Sequence, residues 1–383
     1  MKCGMIGFRR KTLIGLDIDT AAVRMVQLRQ DNGGYTVTGA SCAEIAPWGD
    51  DPELRRVHTV RAIQKGLSRR NLDGKLVVCG VRGPEVVVRS FEFPLLLSEE
   101  IGSAVGLEAS QICPFSPNES AFDYQVTSMD AGKTRGFWVA ANNGLIRSIR
   151  QIVHDAGLHC TLLDVAGLAL LNCLHHGGRQ TDGSSSGDDV REGSAVVDVG
   201  GVCTTIAVRD HAGRPFVRDI NAGSDQICSH VADEARIPFE TARAAMLNYG
   251  SSQDRDERTD AEIPDLAAAD TASFWENAEG ACAPLVEDIV TTLRYYATQH
   301  GAGLASQHAG SGVKVDRVLV CGALSRFDRF IDLLAGKLHL EVQAWNPVET
   351  MRDDGAKTGP RTAAAQAFGP SMSLAAGLAM RSL

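Results

Sequence analysis

The sequence predicts an α/β fold of two lobes, and three observations carry that prediction. Each half opens with the same succession of strand, sharp Asp-bearing turn, strand, turn and strand. A later apolar strand ends abruptly at a glycine, Gly322. The chain also has 383 residues, more than a single hydrophobic core ordinarily serves.

The first opening reads as strands at Leu13 to Asp17, at Val23 to Leu28 and at Tyr35 to Cys42, with Gly33-Gly34 turning between the last two. Glu53 to Leu67 follows as an amphipathic helix, with Leu54, Val57, Val60, Ile63 and Leu67 along one stripe. Lys75 to Val81 is an apolar strand closed by Gly83-Pro84. From Glu85 the pattern changes to a small α/β unit. It has a strand stopping at Pro94, a helix capped by Ser98 and ending near Pro114, strands at Asp123 to Val126 and Phe137 to Ala141, and a helix from Leu145 to Ala156. Leu163 to His175 has little polar surface and reads as a buried helix, with Asp164 as its cap. The Gly/Ser/Asp-rich stretch from Gly177 to Gly193 reads as a linker.

The second opening has strands at Ala195 to Val199, Thr204 to Val208 and Pro215 to Ile220. Helices are expected at Asp225 to Glu234 and Glu240 to Leu247, then an exposed polar insert from Ser251 to Ala272. A long helix from Ala283 to Gln299, a strand at Arg317 to Cys321, a helix at Arg326 to Leu338, a strand at Glu341 to Ala344 and a final helix at Ser373 to Arg381 complete the chain. The expected organisation is therefore residues 1–83 with 161–176 as the main part of the first lobe and 84–160 as an inserted unit. Residues 177–193 form the linker, and 194–221 with 312–383 the main part of the second lobe. Residues 222–311 form a small subdomain carrying the insert 251–272.

A net charge of -9 argues against a nucleic-acid partner, which would call for a basic excess. No apolar run approaches the ~20 residues that cross a bilayer. Met1 to Lys11 lacks a signal peptide's apolar core and reads as a solvated tail, with weak contact to an anionic membrane surface as the alternative. The ten cysteines form no CxxC pair, and Cys79, Cys203 and Cys321 lie in apolar runs as reduced core thiols, which suits a reducing cytosol. His175 and His176 have no third ligand nearby in sequence and read as a solvent-facing helix end.

Three segments could carry chemistry: Gly15-Leu16-Asp17-Ile18-Asp19-Thr20, Val197 to Thr205, and Val318-Leu319-Val320-Cys321-Gly322-Ala323. A tight turn between strands aims successive backbone N–H groups at an anion, and glycine admits close approach. A strand-end carboxylate can hold the water shell of a Mg²⁺ bridging phosphates, which nominates Asp17 and Asp198. Thr20, Thr204 and Thr205 supply hydroxyl donors. Taken singly, each motif equally describes an ordinary β-turn.

Their order resembles actin-like ATPases, with one phosphate loop per lobe and an adenosine loop near the end. More specifically, the chain resembles the PilM family of type IV pilus assembly proteins, related to FtsA. The resemblance rests on Arg89-Ser90-Phe91-Glu92-Phe93-Pro94, Glu108 to Phe115, Phe122-Asp123-Tyr124-Gln125, Leu163-Asp164-Val165 through Leu170, Phe216 to Ile220 with Gly223, Trp345-Asn346-Pro347 and Ala376 to Arg381. It implies an actin-like fold of two lobes around a nucleotide cleft, with the PilM/FtsA-type extra subdomain at 84–160. It also implies ATP with Mg²⁺ as cofactor, and as partner the cytosolic N-terminus of an inner-membrane PilN-like protein. That peptide would lie in the first lobe between the main sheet and the inserted unit. The implied cofactor residues are Asp17, Asp19, Thr20, Asp198, Gly200, Gly201, Thr204, Thr205, Gly223, Arg243, Gly322 and Ala323.

The sequence departs from the family pattern at three places. Asp19 stands where the first phosphate loop has Gly, Ala323 replaces the second glycine of the adenosine loop, and Arg243 and Met246 replace a Glu and a Lys that meet ribose and base. The expectation is a cytoplasmic scaffold, peripheral to the inner membrane through its partner, with ATP binding weak or lost and negligible turnover. The alternatives are a catalytic ATPase or sugar kinase, for which no signature base is visible and Asp164 is the candidate, though a helix-start Asp is more often a cap, and the cytosolic part of a type II secretion L protein. A homo-oligomer stays open.

Overall fold

Two five-stranded sheets of identical connectivity form the body of the protein. The structure is a computed structural model, and it describes residues 13–31, 34–49, 51–68, 72–177, 193–209, 214–248, 268–299, 315–351 and 369–381. In the first sheet, β1 (Ile14–Ile18), β2 (Ala22–Asp31) and β3 (Gly34–Glu44) form an antiparallel meander. β4 (Leu76–Val81) and β8 (His159–Val165) then add in parallel on the other side of β1, giving the order β3-β2-β1-β4-β8. The second sheet repeats this with β9 (Ser194–Val199), β10 (Thr204–Arg209), β11 (Pro215–Ile220), β12 (Arg317–Gly322) and β13 (Glu341–Ala344), in the order β11-β10-β9-β12-β13. The two openings seen in the sequence are thus one architecture used twice.

A third sheet, β5 (Val86–Pro94), β7 (Lys133–Asn142) and β6 (Ser120–Asp130) in that spatial order, is the core of the inserted unit. One of its faces carries α2 (Ser98–Ile112), through Phe91, Ile101, Val105, Ala109 and Trp138. The other face meets α3 (Asn143–Asp155) and the first lobe through Val88, Phe137, Val139, Leu145, Val165 and Leu168. Arg56 of α1 (Pro52–Ser68) reaches across to Asp155 of α3 and ties the unit to the main sheet. The outer strand β6 is exposed at five consecutive residues, Ala121 to Gln125.

Two short apolar helices, α4 (Ala166–Gly177) and α9 (Ser373–Ala379), pack against each other, with α9 also on β1 and α4 also on β10. One apolar cluster there holds Leu13 and Val78 of the first lobe, Val196, Leu319 and Cys321 of the second, and Ala166, Ala169, Leu170, Leu374 and Leu378 of the helices. The approach is close enough to require glycine: a Cβ on Gly15 would sit 2.0 Å from the Ala375 carbonyl, and one on Gly377 2.1 Å from that of Ala169. The remaining helices are α5 (Ser224–Ala235), α6 (Phe239–Asn248), α7 (Ala268–Gln299) and α8 (Asp328–Leu338). They cover the outer face of the second sheet through Val231, Phe274, Trp275, Ile289 and Phe330.

Three local expectations are corrected. The run from Leu163 begins as strand, not helix: β8 extends to Val165 and α4 starts at Ala166. A parallel strand buried on both faces has the same unbroken apolar look as a buried helix. Asp164 is therefore no helix cap; its carboxylate takes Arg381 in a two-pronged pair at 2.6 and 2.8 Å. Ser98 is the first helical residue rather than the cap, and the Glu100 carboxylate accepts the Leu97 N–H at 3.0 Å in its place. Finally, α7 begins at Ala268, so residues 268–272 belong to it and not to the insert. Residues 178–192 of the expected linker and 251–267 of the insert lie outside the described residues. Cys79, Cys203 and Cys321 are buried, and His175 and His176 end α4 exposed, as expected.

The glycine contacts predict opposite outcomes for two substitutions. Gly15→Val drives a side chain into the α9 backbone and should destabilise by about 2–3 kcal/mol in urea unfolding. Gly106→Ala, in α2 where nothing lies within 4 Å of the new methyl, should stabilise by ~0.5–1 kcal/mol in the same measurement.

Candidate functional site

Strand ends decide where charge gathers. β1, β4 and β9 all finish on the same cleft between the lobes, and each delivers a charged residue there: Asp17, Arg82 just past Val81, and Asp198. The turn after β1 adds Asp19 and Thr20, and β2 returns with Arg24 directly opposite Asp17 in register. All of these except Arg82 are buried to below a tenth exposure, and the Arg82 side chain is only 13% exposed.

The result is a continuous ionic network. Arg82 donates to Asp198 Oδ2 at 2.8 Å and to Asp17 Oδ1 at 3.3 Å, and lies 3.5 Å from Asp19 Oδ1. Arg24 donates to Asp17 Oδ2 and Asp19 Oδ2, both at 3.2 Å. Asp19 Oδ1 also accepts the backbone N–H of Thr20 at 2.8 Å and, from the other lobe, that of Gly201 at 3.0 Å. Burial pushes the Asp19 carboxyl up, but Arg82 and Arg24, helped by those two N–H groups, outweigh it and bring it down to about 2. At Asp17 and Asp198 burial wins, against the pull of the same arginines, and both carboxyls are raised. Both guanidiniums are raised by their carboxylates despite burial.

The second loop is held as tightly. Gly200 N–H bonds to the Cys203 carbonyl at 3.0 Å, and the first turn of α5 closes over the loop through Ser224 N–H to Gly200 and Asp225 N–H to Gly201, both 2.9 Å. Gly223 sits so close that a Cβ there would be 2.4 Å from both carbonyls. Thr204 donates its hydroxyl to the Ala222 carbonyl and Thr205 to Asp219, whose other oxygen accepts Gly83 N–H from the first lobe at 2.7 Å. Gly322, at φ +83°, lies against Val199 and Asp198, and Ala323 N–H bonds to the Val199 carbonyl at 2.7 Å. Arg243 lines the far side of the cleft with Met246 and Leu324; it pairs with Glu240 at 2.5 Å and its guanidinium lies over the Phe239 ring at 5.3 Å.

Comparison with known proteins decides the family. The family model described as "Type IV pilus assembly protein PilM" matches residues 15–257, more than half of the chain. The chain belongs to this family. A solved PilM-PilN type IV pilus biogenesis complex aligns with a TM-score of 0.74 at 18% identity, covering 97% of this chain and 98% of that one. The ethanolamine utilization protein EutJ from Carboxydothermus hydrogenoformans aligns at 0.52 with 14% identity, over 97% and 90% of the two chains. At these identities the likeness is one of fold, and the fold is actin-like, as the resemblance read from the sequence implied.

In a PilM-family chain the cleft implies a Mg²⁺-nucleotide, and the residues present do not fit its phosphates. The Gly201 N–H that would bind a phosphate oxygen already binds the Asp19 carboxylate. Thr20 Oγ1 lies 1.7 Å from where a Gly201 Cβ would stand, so the two expected phosphate loops are in contact at this point. Between Asp17 and Asp198, the two carboxylates expected to face a metal, stands the Arg82 guanidinium. Among the described residues no three His, Cys, Asp or Glu side chains are arranged to hold a metal ion. The structure therefore brings the predicted residues together but gives Asp17, Asp19, Asp198, Thr204 and Thr205 internal partners.

Sequence reasoning missed Arg24 and Arg82, the two cations that organise the site. Each left a signal: Arg24 is the lone charge in the apolar run from Val23 to Leu28, and Arg82 is the first residue after an apolar strand. Arg82→Ala leaves three buried carboxylates facing Arg24 alone. It should lower stability by ~3–5 kcal/mol in a urea melt, the usual consequence of removing one partner from a buried pair.

Proposed function

We infer that this chain is a cytoplasmic scaffold of type IV pilus, or related secretion, assembly, which binds the cytosolic N-terminal peptide of a PilN-like inner-membrane protein and reaches the membrane through it. Family membership carries the reading. Three further observations support it. The expected phosphate donors and acidic residues bind one another, so Mg²⁺-ATP binding is weak or lost and turnover negligible. Asp164, the residue a kinase reading would nominate as base, is neutralised by Arg381. No described helix is long and apolar enough to cross a membrane.

The inserted unit offers the surface such a partner needs, on its outer strand and not between it and the main sheet, where the sequence reading put the peptide and where Val88, Phe137, Val139, Val165 and Leu168 already pack together. In β6, Phe122 and Tyr124 face the α2 side and are exposed, beside exposed Leu97, Leu107 and Ile112. β6 is an edge strand, so an extended peptide can extend its ladder while side chains settle on the apolar surface. Charge adds selectivity: between Arg89 and Lys133 the sequence has no Lys, Arg or His, and carries Glu92, Glu99, Glu100, Glu108, Glu119, Asp123 and Asp130. An apolar peptide with basic residues is the matching ligand.

Calorimetry of the full chain with the cytosolic N-terminal peptide of its genomic PilN-like neighbour tests the reading. Binding is expected, and Phe122→Asp should weaken it at least tenfold, about 1.4 kcal/mol, in a variant whose urea melt still shows one cooperative transition. Absence of binding by the native chain would sink the scaffold reading. Unchanged affinity in Phe122→Asp would move the peptide off the β6 edge.

A further inference from the structure

We propose that Asp19 and Arg82 form an internal clasp that replaces a bound Mg²⁺-nucleotide, with the Asp19 carboxylate in the place of a phosphate oxygen and the Arg82 guanidinium in the place of the metal, so that the two lobes are fastened without any ligand. The scaffold reading concerns the inserted unit, and the clasp stands or falls separately from it.

Each half of the substitution is visible in the contacts. An actin-like cleft joins its lobes through an anion that accepts N–H groups from the second loop while a cation beside it answers the strand-end carboxylates. Here Asp19 is an anion supplied by the first lobe, and it accepts the second lobe's Gly201 N–H at 3.0 Å. Arg82 is a cation supplied by the first lobe, and it joins Asp17 of that lobe to Asp198 of the other at 3.3 and 2.8 Å. A guanidinium suits this role because its fork of N–H donors satisfies several carboxylate oxygens at once. Arg24 offsets the extra negative charge that Asp19 introduces. The set is complementary in sign, three carboxylates with two guanidiniums, and it is almost wholly removed from water, where such interactions are least screened.

Two further contacts tighten the same seam. The Asp219 carboxylate of the second lobe takes Gly83 N–H, the residue next to Arg82, at 2.7 Å. The Ser90 hydroxyl donates to the Pro215 carbonyl at 3.0 Å. The chain from Arg82 to Ser90 is thus tied to the second lobe at two further points. A nucleotide arriving there would have to displace Asp19 from Gly201 and Arg82 from Asp198 together. Its phosphates would meet Asp19 as a like charge. The lobes should accordingly hold one arrangement whether or not ATP is present.

Hydrogen exchange and calorimetry on the full-length chain test this. In the native protein, millimolar Mg²⁺-ATP should give no binding heat and no change in exchange at residues 199–205. In Asp19→Ala the Gly201 amide should exchange at least tenfold faster than in the native protein. The double variant Asp19→Gly, Arg82→Ser removes both surrogates and should give a binding heat with millimolar Mg²⁺-ATP where the native protein gives none; a folded double variant that stays silent overturns the clasp. Native binding of Mg²⁺-ATP at micromolar concentration, or native protection of residues 199–205 increased by Mg²⁺-ATP, overturns the clasp. Both native measurements need no substitution, so a variant that fails to fold does not shield the proposal. An unchanged Gly201 exchange rate in folded Asp19→Ala overturns it equally. None of these outcomes bears on peptide binding at β6.

Discussion

The close seating of α9 on β1 and α4 is the constraint on which the rest of the structure depends. Two helices with glycine or alanine at their contacts let the two sheets share one apolar layer, in which Leu13, Val78, Val196 and Leu319 all take part. With the sheets drawn together, the C-terminal ends of β1, β4 and β9 have no choice but to meet. Charge at those ends then cannot reach water and must be matched locally, because an unpaired buried charge costs several kcal/mol. The ionic network is in this sense a consequence of the packing, and Arg24 and Arg82 are the residues that make the packing tolerable.

The two ends of the molecule follow different physical rules. At the cleft the carboxylates of Asp17, Asp19 and Asp198 are buried and all take partners within the chain, which favours a single arrangement, although Thr20 Oγ1, Arg24 Nε and Asp225 Oδ1 are buried there without a hydrogen bond. On the inserted unit the outer strand is open and exposes Phe122 and Tyr124 beside Asp123, which favours association. The first lobe carries both, joined through α3 and the apolar seam of Val88, Val165 and Leu168. The first lobe thus joins a closed ionic cleft to an open strand edge at β6.

Much of the fold was legible in the sequence because strand ends, glycines and Asp-bearing turns are local signals. The repeat of the two sheets, the inserted unit and the buried cysteines follow from such signals. The boundary at Val165 and Ala166 was not legible, since a strand buried on both faces loses the alternation that marks a strand. The start of α7 was hidden because Ala268 to Ala272 is polar and small enough to pass for the end of a loop. The cleft was half legible. Asp17, Asp19, Asp198 and Gly201 could be placed by motif, and Asp19 could be seen to clash with phosphate. What resolves that clash is a pairing of Arg82 with Asp198, 116 positions apart, and no local pattern records a contact of that span.

The interlocked cleft also has a historical consequence. Returning to a phosphate-binding cleft would require the carboxylate at position 19 and the guanidinium at position 82 to go together. Changing Arg82 alone leaves three buried carboxylates facing Arg24, and changing Asp19 alone leaves the Gly201 N–H without its acceptor, while the contact between the Thr20 and Gly201 loops is still in place. Each single step therefore loses stability before any binding is gained. Substitution at Arg243, Met246 or Ala323, the positions compared in the sequence with those that meet ribose and base, touches none of these contacts, while a change at position 19, 24, 82 or 198 disturbs the pairing of the others.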